Sequence, residues 1–316
     1  MKRIGNTLLL AMSLLAFGGP AADISHAAIL SLSDFEAPAF TLGSVNNQPV
    51  PSPAGWGVSN PSFDQAVVAF GGGQVWRVSN AFASGTFGDQ PFAPRPGGIP
   101  TDTVNSPTNS NPQFFAGESS TGAVSRYFYA QFDVRSATGA PQPGARITVS
   151  ADNGQGGRQG FLAIRDNGAT GLAIDTFDVD SSGNFIGPIN IADDLSYTDW
   201  HTLAIEILFN DGVNNDVINY YLNGTLVHSN GSWEEFYRNF QLAQHPLGVP
   251  VQTLLFRISG SSVPSVQGGG FYIDNVQVRN HMIPEPATGL VLGTGLLGLA
   301  AWRVGRGRQR EGKRAE

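Results

Sequence analysis

Short runs of alternating apolar and polar residues, separated by glycine, asparagine and aspartate, recur through the middle of the chain, and no long helical period interrupts them. Tyr127–Val134 sets Phe128, Ala130, Phe132 and Val134 on one side and Tyr127, Tyr129, Gln131 and Asp133 on the other. Trp200–Phe209 gathers His201, Leu203, Ile205, Ile207 and Phe209 opposite Thr202, Ala204, Glu206 and Leu208. The same pattern predicts strands over Arg146–Ser150, Gly160–Arg165, Leu172–Val179, Asn184–Ile191, Val217–Leu222, Thr225–Ser229, Thr253–Ser259 and Gly270–Val278. Asn223-Gly224 joins two of these as a hairpin, because both central turn positions need positive φ. Between Thr41 and Pro112 the alternation weakens; two or three strands are expected there (Ala66–Phe70, Gln74–Ser79, a short one at Phe82), joined by long loops. Loops of that length are uncommon unless they line a site or are mobile. With 40 glycines and 20 prolines as punctuation, the expectation is an all-β sandwich or barrel in one unit, without internal repeats.

The two ends do not follow this pattern. Lys2 and Arg3 precede an apolar stretch from Leu8 to Phe17, and Ser25-His26-Ala27 suits a small-x-small cleavage site. Residues 1–27 therefore read as a secretory signal peptide. At the other end, Ile283-Pro284-Glu285-Pro286 is followed by an uncharged run of 16 residues, Ala287–Trp302, and then by Arg303, Arg306, Arg308, Arg310, Lys313 and Arg314. As a helix that run spans about 24 Å, short against a hydrocarbon core of about 30 Å but adequate for a tilted or transient anchor. Glycines 289, 293, 295 and 298 among leucines leave no polar face, and the arginines would hold the cytoplasmic side.

This order of Pro284-Glu285-Pro286, apolar helix and basic stop resembles the PEP-CTERM sorting signal of exported proteins in Gram-negative bacteria that make exopolysaccharide. The resemblance covers about a tenth of the chain and implies recognition by an exosortase-type membrane protease-transpeptidase. It also implies transient anchoring through residues 287–302 and delivery to the cell surface or beyond. The tail departs from the pattern, since fourteen residues follow Trp302 where a few arginines are usual.

Between the two signals lie residues 28–282, and their charge narrows the function. They hold 10 arginines and no lysine against 21 carboxylates, a formal charge of −11, whereas the whole chain stands at −7 because its ends are cationic. An acidic core without a basic cluster does not suit nucleic acid or anionic lipid. The absence of cysteine removes thiol chemistry and thiolate zinc sites.

Trp200-His201-Thr202-Leu203, the segment from Asp211 through the Asn223-Gly224 hairpin, and the closing Gly270-Phe271-Tyr272-Ile273-Asp274-Asn275-Val276 are similar to the paired strands of concanavalin A-like and laminin G-like domains. The similarity covers about 90 residues. It implies an antiparallel two-sheet jelly-roll sandwich in which one sheet face often holds sugar.

Catalytic signatures are weak. Glucanases of that superfamily carry Glu-x-Asp-x-x-Glu on one strand, which places two carboxylates about 5 Å apart. Here Glu206 stands alone on its strand, Glu234 and Glu235 are sequence neighbours, and Glu118 is in a loop. His201, His228 and His245 have no metal-ligand spacing, and no Gly-x-Ser-x-Gly elbow occurs. The expectation is a non-catalytic protein.

Asp178, Asp180 and Ser182 open like a calcium loop with Gly183 in sixth place, but Ile189 fills the twelfth position where a bidentate carboxylate belongs. An ordinary hairpin turn explains the same residues. Asp211, Asn214 and Asp216 are an alternative calcium group. Sugar contacts require exposed rings beside amides and carboxylates. Trp233 and Tyr237 share a helical face after a Ser232/Glu235 capping box and form one candidate pair, against the plainer reading of a lid packed on the sandwich edge. Tyr127, Tyr129 and Asp133 form the other, while Trp56, Trp76 and Trp200 are expected in the core.

Overall fold

The computed structural model describes residues 30–83, 89–95, 117, 125–154, 156–240, 249–258 and 261–280. The signal peptide expected over 1–27 and the segment 283–316, with Pro284, Glu285, Pro286 and Arg303, Arg306, Arg308 and Arg310, lie outside the described residues. Among the described residues, no helix is long and apolar enough to cross a membrane.

The chain runs through β1 (Leu30–Ser33), β2 (Gly57–Val58), β3 (Gln65–Phe70), β4 (Gly73–Val78), β5 (Pro91–Phe92), β6 (Tyr127–Ser136), β7 (Arg146–Asp152) and β8 (Arg158–Asp166). It continues through β9 (Leu172–Val179), β10 (Phe185–Leu195), β11 (His201–Leu208), β12 (Val217–Leu222), β13 (Thr225–Asn230), α1 (Glu234–Phe240), β14 (Thr253–Arg257) and β15 (Phe271–Arg279). All pairings are antiparallel and form two sheets. The larger runs β13-β12-β11-β6-β15-β4-β3, with β1 also on β15; the smaller runs β10-β9-β8-β7-β14-β5-β2. One strand, β15, serves both ends of the chain on one edge: Phe271–Ile273 pair with β4, and Val276–Arg279 pair with β1. The change of partner falls at a bulge where Asn275 adopts a φ of 50°.

One apolar cluster joins the sheets. Phe128, Phe132, Ile205 and Ile273 from the larger sheet meet Ile147, Leu162, Ile174 and Phe256 from the smaller. Trp56 and Trp76 sit at its centre with ring centroids 4.9 Å apart. Each buried indole keeps a partner: Trp56 Nε1 donates to Ser33 Oγ at 3.1 Å and Trp76 Nε1 to Gln65 Oε1 at 3.0 Å. The alternation along β6 and β11 is therefore realised, with the expected apolar sides in the core. Trp200 departs from expectation. It lies half-buried on the outward face of the larger sheet, edge-on to Phe70 and under the Arg135 guanidinium. Phe82 forms no strand and is exposed; beside β3 and β4 that region holds the two-residue strands β2 and β5, four where two or three were expected, with β5 held between β2 and β14.

The hairpin β12–β13 turns at Asn223 (φ 50°) and Gly224 (φ 79°), as its sequence requires. Asn223 also continues the ladder, since its Oδ1 accepts from Thr202 N at 2.9 Å and its own N donates to Thr202 O at 2.7 Å. That clasp holds Gly224 above the outward face of β11.

Candidate functional site

Strand alternation sends Tyr127, Tyr129, Gln131 and Asp133 of β6 outward from the larger sheet, beside Thr202, Ala204 and Glu206 of β11 and Asn219 and Tyr221 of β12. Register decides which of them meet. Glu206 stands opposite Tyr129 on one side and Asn219 on the other, and Ala204 stands between Gln131 and Tyr221. Because Ala204 is small, the ring and amide beside it rise over a notch of about 240 Å³. Its lining is Tyr129, Gln131, Thr202, Ala204, Glu206, Tyr221 and, at the rim, Gly224.

The walls are pre-set by hydrogen bonds. Glu206 Oε2 accepts from the Tyr221 phenol at 2.7 Å and from Asn219 Nδ2 at 2.9 Å, and Ser229 Oγ braces Asn219 Oδ1 at 2.7 Å. The Tyr129 phenol donates to Gln131 Oε1 at 2.9 Å, and the Arg279 guanidinium lies 4.0 Å from the centroid of its ring. Burial and then the Glu206 carboxylate push the Tyr221 phenol up to about 12. The same pair of causes raises Tyr127. Tyr129 is raised by burial, against the pull of Arg279. These phenols are neutral hydrogen-bonding groups at ordinary pH, not bases.

Asp133 is committed locally. Its Oδ1 accepts from Thr202 Oγ1 at 2.5 Å and its Oδ2 from Asn275 Nδ2 at 2.8 Å. It stands opposite Asp274, whose carboxyl is driven up to about 6 by burial first, then by Asp133, Glu36 and Asp34, against a hydrogen bond from Asn275 N. Asp133 thus buttresses the site rather than facing its contents.

Two sequence expectations are corrected. Trp233 and Tyr237 are only 4% and 5% exposed. They do share a helical face, but that face is turned down onto the smaller sheet against Val179 and Val249. Trp233 Nε1 donates to Phe177 O at 2.8 Å and stands edge-on to Phe161, while the Tyr237 phenol accepts from Arg158 N at 2.7 Å. Neither ring can stack on a sugar, so α1 is a lid on the sandwich. Its start is also simpler than a capping box: Ser232 Oγ accepts from Glu234 N at 3.2 Å and donates to Asp216 Oδ2 at 2.9 Å.

The calcium reading fails on direction. Asp178 belongs to the end of β9 and both its oxygens lie 3.1 Å from His228 Nε2. Asp180 Oδ1 closes the β9–β10 turn, accepting from Ser182 N at 2.8 Å and Asn184 N at 2.9 Å. Asp178 and Asp180 are thus turned to separate partners, and among the described residues no group of three His, Cys, Asp or Glu side chains could hold a metal ion. The alternative group is equally occupied: Asp211 pairs with Arg126, and Asp216 holds Asn210 N and Ser232 Oγ.

No family model matches the chain, and no curated protein matches it. Solved structures are similar in layout. Alginate lyase Aly36B aligns over 81% of this chain and 99% of its own at 14% identity, with a TM-score of 0.44. The Emp47p carbohydrate recognition domain aligns over 80% and 97% at 13% identity and a TM-score of 0.38. The Crh5 transglycosylase in complex with NAG aligns over 80% and 85% at 11% identity and a TM-score of 0.40.

Proposed function

We propose that residues 28–282 form a concanavalin A-like jelly roll that binds glycan on the outward face of its larger sheet without turning it over. The observation that carries this reading is the notch over Ala204, where the Tyr129 and Tyr221 rings flank Glu206 and Gln131. Rings of this kind cover the apolar face of a pyranose, and a carboxylate and an amide take its hydroxyls. A single carboxylate lines the notch, whereas canonical glycoside hydrolysis uses two. The reading continues at the chain ends: export through residues 1–27, and exosortase-type processing at Pro284-Glu285-Pro286 with 287–302 as a transient anchor. The delivered protein would lie on the surface of a Gram-negative cell or in its exopolysaccharide matrix.

The test is a glycan array probed with the full-length chain and with Tyr221→Ala. The chain should retain at least one polysaccharide, and Tyr221→Ala should lose about tenfold in affinity, as expected for one stacked ring. Retention of no polysaccharide would favour a purely structural envelope protein. Activity that vanished on changing Glu206 would favour a divergent glycoside hydrolase.

A further inference from the structure

The opposite side of the molecule carries a patch of different chemistry. On β7 the core takes Ile147, Val149 and Ala151, so Thr148, Ser150 and Asp152 face outward from the smaller sheet; on β14 the core takes Leu254 and Phe256, so Arg257 faces outward beside them. Asp152 stands opposite Arg158 of β8, whose guanidinium lies 5.6 Å from the Trp233 ring centroid. Arg95 joins from the chain after β5, donating to Gly154 O at 3.2 Å within the turn that Asp152 Oδ1 caps through Gly154 N at 2.6 Å and Gly156 N at 3.0 Å. Two half-buried guanidinium groups, Arg95 and Arg158, therefore stand at Asp152, and a third, Arg257, lies further along the same face opposite Thr148. Their mutual proximity is felt: burial first, then Arg158, hold Arg257 down to about 10 against the attraction of Asp152. Arg95 is lowered by burial against the same carboxylate.

Two further polar groups lie buried on this face. Ser150 Oγ and Gln159 Oε1 are buried without a hydrogen-bond partner, at 0% and 1% exposure, an arrangement that is unfavourable until a partner is supplied. The Gln159 amide is fixed by donation from Nε2 to Val249 O at 2.9 Å, which leaves its oxygen as an acceptor. Guanidinium forks and a hydroxyl donate to a carboxylate, and an amide oxygen accepts from a sugar hydroxyl. We infer that Arg95, Arg158 and Arg257, with Ser150 and Gln159, form a second site that binds the carboxylate and a neighbouring hydroxyl of a uronic-acid-containing polysaccharide. It lies on the other sheet from the Ala204 notch and does not depend on it.

The full-length chain should be titrated with polygalacturonate and with the same polymer fully methyl-esterified, which keeps the backbone and removes the charge. The acid polymer should bind about tenfold more tightly, the worth of one charge-assisted hydrogen bond, and the difference should shrink as salt rises to 0.5 M. Arg158→Gln and Arg257→Gln should each abolish that preference, and Arg146→Gln should keep it. Equal affinity of the unaltered chain for the two polymers, or binding to neither, overturns the inference whether or not the variants fold. So does a preference that survives both arginine changes.

Discussion

Asp274 is a carboxyl held well above its ordinary range. Its carboxyl, normally near 3.8, is pushed up to about 6 because it is half-buried on β15 beside Asp133. The folded chain then binds that proton more tightly than the unfolded chain does. The stability this contributes is whole below pH 3.8 and is lost as pH rises through 6. Replacing the group by Asp274→Asn should therefore raise the thermal midpoint at pH 7.5 by about 2–4 °C, the equivalent of roughly 1 kcal/mol after solvent screening, and change nothing at pH 3.5. A melt series at the two pH values checks it, and an equal shift at both would contradict the assignment. At this scale the sequence was partly readable. Glu206 looked like an isolated exposed strand residue because its partners Tyr221 and Asn219 are fifteen and thirteen positions away and meet it only through strand register. The partners of Asp133 are equally hidden, since Thr202 and Asn275 come from two other strands.

At the scale of elements, alternation alone placed the central strands. Leu172–Val179 and Val217–Leu222 have the bounds their patterns predict, and Asn223-Gly224 turns where glycine and asparagine allow positive φ. What alternation could not show is the short elements β1, β2 and β5, which are two to four residues long and owe their pairing to distant partners. It also could not show which way α1 faces. A helical face with two aromatics is the same pattern whether it meets a sugar or the sheet beneath, and the smaller sheet offers Phe161 and Phe177 to pack against. With Trp233 inside that cluster, Trp233→Ala should cost about 3–5 kcal/mol of stability, read as a lower denaturation midpoint, while affinity at the Ala204 notch stays unchanged. Loss of glycan affinity without loss of stability would restore the helix as the contact surface. Ser232→Ala removes both a cap for Glu234 N and the hydrogen bond to Asp216, and should lower stability by about 1–2 kcal/mol by the same measurement.

The whole molecule combines an acidic sandwich with two ends of opposite character. Residues 28–282 carry −11, yet the apolar run 287–302 is followed by arginines, and the chain begins with Lys2 and Arg3 before another apolar stretch. Deleting 287–302 should release the protein early or leave it in the periplasm, measured by fractionation of cells that express it; unchanged fractionation would remove the sorting role. Phenols, an amide and one carboxylate line the larger sheet's notch, and guanidinium groups gather on the smaller sheet. The most direct measurement is hydroxyl-radical footprinting of the full-length chain, with and without the polysaccharide that the array retains. Protection of Tyr129 and Tyr221, with Trp233 unreactive in both states, is the expected result. Unchanged reactivity of both tyrosines at saturating polysaccharide would contradict binding at the Ala204 notch.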